Sequence, residues 1–187
     1  PYEMRSFNTR SALDLYDELV RVPLIFTGCN VVESKVIPDL VRSVDIFPTI
    51  IDMIGLCNSI KSDGRSLLPL INNKKLDELP AYMEVGINLA QLVNSKTPEV
   101  LAKIIGVRTS EYKYLRARDN LEKNVRLFDL KNDPLEEKNI VDEKPKIVKK
   151  MEGILSQFTK DSKDGEGTLT DEDIKKARET LLRLGYI

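Results

Sequence analysis

The sequence predicts an α/β protein in two unlike parts, and three observations carry that prediction. Between Val22 and Phe26 runs an unbroken apolar stretch stopped by Gly28, too short for a helix and suited to a strand covered on both faces. From Asp45 to Gly55 the apolar positions switch to helical spacing. Beyond a polar stretch at Asn72–Leu79, short strand-like pieces follow one another closely and give way to a helix with a wide apolar stripe.

In order along the chain, residues 1–14 carry no clear period and read as a loop entering a helical turn. Tyr16-Asp17-Glu18 is a short acidic turn leading into the Val22–Phe26 strand. Pro23 has no N–H for a ladder, so it belongs at the start of that strand, near an edge. Val31 to Asp39 reads as a turn and a short extended segment, with Leu40–Val44 a second strand. In the helix that follows, Asp45 stands at the cap, Pro48 in the first turn, and Gly55 at the left-handed position after the last turn. Ile46, Phe47, Ile50, Ile51 and Ile54 fall on one face of it. Arg21 and Asp45 are read as holding strand and helix ends, with an ion pair between them left open. Gly64-Arg65-Ser66-Leu67-Leu68-Pro69-Leu70 is a turn followed by an apolar plug.

After the polar boundary, Ala81–Val85 reads as a strand and Leu89–Leu101 as an insertion of undefined form. Lys103–Arg108, Tyr112–Arg116 and Val125–Leu130 are three further strand pieces, the first two joined as a hairpin by Thr109-Ser110-Glu111. Pieces this close favour an antiparallel meander. Alternation places Tyr112 and Tyr114 on one face, Lys113 and Leu115 on the other. Asn132-Asp133-Pro134 ends the sheet with turn chemistry. From Lys146, the residues Ile147, Val148, Met151, Ile154, Leu155 and Phe158 make the stripe of a helix running to Thr159. A last helix is expected from Thr170, with Asp173 as an acidic capping-box residue.

Composition narrows the chemistry. With 29 Lys and Arg against 30 Asp and Glu, and no basic block, the chain is not built for nucleic acid or an anionic membrane. No apolar run has the length of a membrane span, and the visible start does not resemble a signal peptide. Two cysteines and no Asn-x-Ser/Thr sequon lean toward a cytoplasmic protein, while a start without Met leaves secretion open. The 187 residues contain no histidine, which removes the commonest general base, a common metal ligand and every Ser-His or Cys-His dyad.

The order Tyr16-Asp17-Glu18-x-x-Arg21-Val22-Pro23-Leu24-Ile25, then Asp45-x-x-Pro48-Thr49-Ile50, then Gly64-Arg65-Ser66-Leu67 resembles the C-terminal half of the sulfatases, sulfuric ester hydrolases of the alkaline phosphatase superfamily. The likeness continues through Val107-Arg108-Thr109-x-x-Tyr112-Lys113-Tyr114, through Leu127-Phe128-Asp129-Leu130-x-x-Asp133-Pro134-x-Glu136, and into the tail Arg183-Leu184-Gly185-Tyr186-Ile187. It implies a C-terminal portion of the sulfatase fold. Residues 1–75 would complete the edge of a large sheet flanked by helices, ending the main domain. Residues 76–187 would form an α+β subdomain of a small antiparallel sheet and two terminal helices.

The same resemblance implies calcium or another divalent cation and a formylglycine nucleophile. The family's Cys/Ser-x-Pro-x-Arg motif is matched neither by Cys29-Asn30-Val31-Val32-Glu33 nor by Cys57-Asn58-Ser59-Ile60-Lys61, and both cysteines read as small core residues. Where the family places a catalytic lysine, a turn before the Tyr-acid-acid motif, Ala12 stands, with Arg10 the nearest cation. Arg10 suits a sulfate oxyanion in geometry but reads better as a solvated surface residue. No catalytic or metal-ligating residue is therefore assigned to this chain, and its substrate contacts stay unassigned. The expectation is a sulfatase fragment that supplies scaffold and pocket rim, joined to an upstream domain that meets the sulfate ester. The isolated chain is expected to be inactive.

Three other readings compete. A phosphatase, phosphonate hydrolase or phosphomutase of the same superfamily would share the core. A non-catalytic interaction module would use exposed parts of sheet and helices. Ser162–Asp173 approximates a calcium loop, with Gly167 at position six, but Ser at position one and Asp at position twelve depart from the pattern. A flexible acidic linker is the preferred reading of that stretch.

Overall fold

The computed structural model describes residues 15–28, 31, 34–56, 61–85, 104–160 and positions 175, 176, 179, 180, 182 and 183. The organising element is a four-stranded antiparallel sheet in the order β1 (Ala81–Val85), β2 (Ile104–Arg108), β3 (Tyr112–Ala117), β4 (Arg126–Asp129). The meander expected from spacing is what forms. Thr109–Glu111 closes the β2–β3 hairpin, where Thr109 N–H donates to Tyr112 O at 2.8 Å and Tyr112 N–H to Thr109 Oγ1 at 3.0 Å. In the register, Gly106 stands opposite Leu115. A Cβ there would lie 2.3 Å from Leu115 Cδ2 and 2.6 Å from Tyr114 O, so only glycine lets the two strands approach.

Period-two alternation then gives the sheet two unlike faces. One face carries Ile105, Val107, Tyr114 and Leu127 and is covered by the long helix Pro145–Lys160, through Met151 and Leu155. Both are fully buried, and each such side chain contributes roughly 1.5–3 kcal/mol by leaving water. Phe158, at the far end of the same stripe, is half-exposed and stacks on Tyr82 with ring centroids 5.6 Å apart. Arg116 reaches from the sheet to Glu152 on the helix at 2.8 Å. The outer edge of β4 is closed by a loop. Leu127 N–H donates to Asn139 Oδ1 at 2.9 Å, and Ile140 N–H to Leu127 O at 2.9 Å.

The opposite face holds Ile104, Leu115 and Phe128, and Leu15, Tyr16 and Val20 lie on it. Leu15 and Tyr16 lead into a single helical turn, α1 (Asp17–Val20), with Asp17 and Glu18 at its positive N-terminal end. Farther along come α2 (Ile46–Met53), entered through a 3-10 turn at Ser43–Asp45, and α3 (Leu68–Ile71); the Pro145–Lys160 helix is α4. Gly55 has φ +70°, as its place after the last turn of α2 requires.

Two expected strands do not form. Residues 21–27 have no regular secondary structure, and Leu40–Val44 is irregular chain ending in the 3-10 turn. A strand exists through a hydrogen-bonded neighbour, and no described strand lies beside either segment. For the same reason Val22 and Ile25 are 74% and 80% exposed. The apolar face of α2 is only partly covered: Phe47, Ile50 and Ile54 are exposed, Ile46 and Ile51 half-buried, and Pro48 and Thr49 are the buried residues. The last expected helix is helical at the six described positions, and its start at Thr170 lies outside the described residues.

Candidate functional site

The densest buried charge in the described residues sits beneath the sheet, on the face that α1 covers. Strand alternation turns Lys113 to that side with Leu115, and Arg108 is its partner across β2–β3. Two like charges directly opposite would repel. Asp17 lies between them. Its Oδ1 is 2.5 Å from Lys113 Nζ, and Arg108 grips both carboxylate oxygens, Nε to Oδ1 at 3.0 Å and Nη2 to Oδ2 at 2.7 Å. Glu136 completes the set, with Oε1 2.6 Å from Lys113 Nζ and Oε2 accepting the Asp17 N–H at 2.6 Å. Lys113 Nζ also donates to Leu15 O at 3.0 Å. Lys113 is wholly buried, so three oxygens replace its water shell.

Two local features build this cluster. Glu136 has φ +55° within the turn after Asp133-Pro134, a conformation costly for a non-glycine residue, and it directs the side chain inward to 3% exposure. Asp17 is the first residue of α1, which aims its N–H at Glu136. Burial pushes the Asp17 carboxyl up, but Arg108 and Lys113 outweigh it and hold the group down at about 2. Beside the cluster, Tyr16 packs on Phe128 with centroids 5.9 Å apart and lies under Arg126, whose Nη1 reaches the Tyr16 hydroxyl at 3.2 Å.

A second buried locus joins two motifs that read separately in the sequence. Asp45 is 2% exposed; it accepts from the Arg42 N–H at 3.1 Å, from Arg42 Nη2 at 2.7 Å and from the Arg65 N–H at 2.9 Å. Burial raises its carboxyl, and Arg42 with the Arg65 N–H holds it below the usual range. Thr49 Oγ1 donates to Asp45 O at 2.6 Å and accepts the Leu67 N–H at 2.8 Å; Ser66 Oγ donates to Asp52 at 2.6 Å. A Cβ on Gly64 would lie 1.9 Å from Val44 O. Asp-x-x-Pro-Thr and Gly-Arg-Ser-Leu are thus the two halves of one lock. The pairing left open between Arg21 and Asp45 does not occur. Arg42, three residues before Asp45 across the 3-10 turn, takes the carboxylate because it is local.

Both clusters are closed on themselves: their carboxylates face cations or backbone N–H groups. Among the described residues, no three Asp, Glu, Cys or His side chains converge where a metal ion could be held. Arg10, Ala12, Cys29, Cys57 and the 162–173 loop lie outside the described residues. The Lys113 cluster was not anticipated. Its signal was a lysine on the Leu115 face of a strand otherwise rich in apolar and aromatic residues.

Comparison with known proteins gives the chain its family and its fold likeness. The family of N-sulphoglucosamine sulphohydrolase C-terminal domains matches residues 3–161. Arylsulfatase K of Mus musculus is 29% identical over 145 residues, 73% of this chain and 24% of that protein. Delta 4,5-hexuronate-2-O-sulfatase of Bacteroides thetaiotaomicron is 29% identical over 158 residues, 81% of this chain and 31% of that one. A solved structure from Bacteroides fragilis described as a sulfatase superposes with a TM-score of 0.51 at 24% identity, over 65% of this chain and 25% of the other, a likeness of fold. The chain spans 24% to 31% of the length of these two curated relatives.

Proposed function

The chain belongs to the family of N-sulphoglucosamine sulphohydrolase C-terminal domains, and from that membership we propose that it is the C-terminal part of a metal-dependent sulfatase that hydrolyses sulfate esters. In this reading it supplies scaffold and pocket rim, and residues outside it supply the catalytic centre. The observation that carries it is a family match over residues 3–161 in a chain spanning only 24% of arylsulfatase K.

The buried clusters support the scaffold role. Lys113, Arg108 and Glu136 fix the α1 turn against the sheet, and the Asp45–Thr49 lock fixes α2 against the Gly64–Leu67 loop. The exposed Val22, Leu24 and Ile25, with Phe47, Ile50 and Ile54 at α2, suit contact with the rest of such an enzyme, as the end of a main domain at residues 1–75 would require. Residues 76–187 would then be the C-terminal subdomain.

Calcium and formylglycine, which a sulfatase uses to polarise the sulfate and to attack it, do not fit the groups described here. Asp17, Asp45, Asp129, Glu136 and Glu152 each face a lysine or arginine or backbone N–H groups. Calcium is therefore assigned to the remainder of the enzyme, and formylglycine with it because neither Cys29 nor Cys57 stands in a Cys-x-Pro-x-Arg motif.

The test is to assay the isolated 187 residues and the full-length protein on an aryl sulfate and an aryl phosphate with calcium supplied. Turnover of aryl sulfate by the full-length protein alone is expected. Turnover by the isolated chain would refute the scaffold reading. A full-length protein faster on phosphate would move it to the phosphatase branch.

A further inference from the structure

We propose that the groove between the 35–39 segment and the loop after α3 binds the anionic groups of an acidic saccharide. Two adjoining depressions form it, of about 360 Å³ and 240 Å³, sharing Pro38, Asp39, Leu70 and Leu76. The larger alone has the size of a small-ligand cleft. Lys35, Lys74 and Lys75 line one end and Arg65 the other, against the carboxylates of Asp39 and Glu78.

The cations are not equally committed. Lys35 Nζ is held in place by Leu70 O at 2.8 Å and Asn73 Oδ1 at 2.6 Å, which leaves one of its three protons for a ligand. The ammonium groups of Lys74 and Lys75 are exposed and make no hydrogen bond or ion pair among the described residues. Arg65 Nε is buried without an acceptor, while its Nη2 donates to Asp77 O. At the lysine end three ammonium groups stand against the one carboxylate of Asp39, so the net charge there is positive; Glu78, at the Arg65 end, accepts the Ser110 N–H at 2.8 Å.

An apolar floor beside such cations suits a sugar ring carrying sulfate or carboxylate, with ring carbons on Pro38 and Leu76 and the anion toward the lysines. Asn73, at φ +61°, turns the chain so that Lys74 and Lys75 follow directly on the Lys35 anchor. The ligand class rests on the sulfatase reading above; the site itself rests on the groove.

The experiment measures binding of a fluorescent heparin-derived octasaccharide to the full-length protein by anisotropy at low salt, beside its aryl sulfate turnover. Lys74→Ser with Lys75→Ser should weaken binding about fivefold, the loss of two exposed charge contacts, and leave turnover unchanged. Lys149→Ser with Lys150→Ser, exposed on α4, removes the same charge elsewhere and should change neither. The proposal is overturned if wild type does not bind, or if the two double variants weaken binding equally. It is also overturned if a neutral octasaccharide, desulfated and carboxyl-reduced, or a poly-glutamate peptide binds as well. Aryl sulfate turnover tests the sulfatase reading by itself: its absence with octasaccharide binding intact would sink that reading and leave the site.

Discussion

Lys113→Met is the sharpest probe of what holds this chain together. Methionine nearly matches the lysine stem in length, so the change removes charge rather than volume. It takes the Lys113 ammonium away from Glu136, 3% exposed, and from the Leu15 carbonyl, and it leaves Asp17 to Arg108. Removing one member of a buried ion pair costs about 3–5 kcal/mol, because the remaining charge stays desolvated. Losing the same pair as a unit costs far less. Adding Glu136→Gln to Lys113→Met should therefore recover roughly half of the loss. The assay is urea unfolding of the full-length protein, with hydrogen exchange read across β2 and β3. A loss below about 1 kcal/mol for Lys113→Met would refute the clamp, as would strict additivity of the two substitutions.

Acid should undo the same cluster from the carboxylate side. Asp17 titrates at about 2 in the fold against an ordinary 3.8, so the unfolded chain binds the proton more readily. The stability it contributes, about 2 kcal/mol, is fully present above pH 4 and is lost as pH falls through 2. Asp17→Asn should flatten that acid limb in a pH series of unfolding midpoints, and an unchanged limb would show that other groups dominate it. At the second locus, Thr49→Val should cost about 1–3 kcal/mol by leaving the Leu67 N–H buried without its acceptor, with Thr49→Ser retaining most of the stability. Gly64→Ala should cost about 3 kcal/mol, since the new Cβ meets backbone rather than a movable side chain. In the core, Leu155→Ala should lower stability by about 2–5 kcal/mol and Phe158→Ala by clearly less; equal losses in thermal melts would contradict the packing of α4.

What could be read in advance divides along a physical line. The β1–β4 meander and the α4 stripe were legible because their order is local: period two, period 3.6 and a three-residue hairpin each lie within a short window. The short apolar run Val22–Phe26 and the Gly28 after it predict a strand, yet strand state depends on a partner, and none of the described strands is beside it. The same limit explains α2, whose helical spacing predicted the helix but not that Phe47, Ile50 and Ile54 would stand exposed among the described residues. The clusters fail to show for a different reason. Asp17 meets Arg108 from 91 residues away, and no periodicity links them. What the sequence does contain is the anomaly each cluster leaves behind. Lys113 stands where the Leu115 face asks for an apolar residue, and a charge there is tolerable only if opposite charge arrives from elsewhere in the chain. A lysine out of pattern in a strand thus forecasts a buried acid; here two acids come, from α1 and from the Asp133-Pro134 turn, and they bind the two ends of the chain's described core to one ammonium.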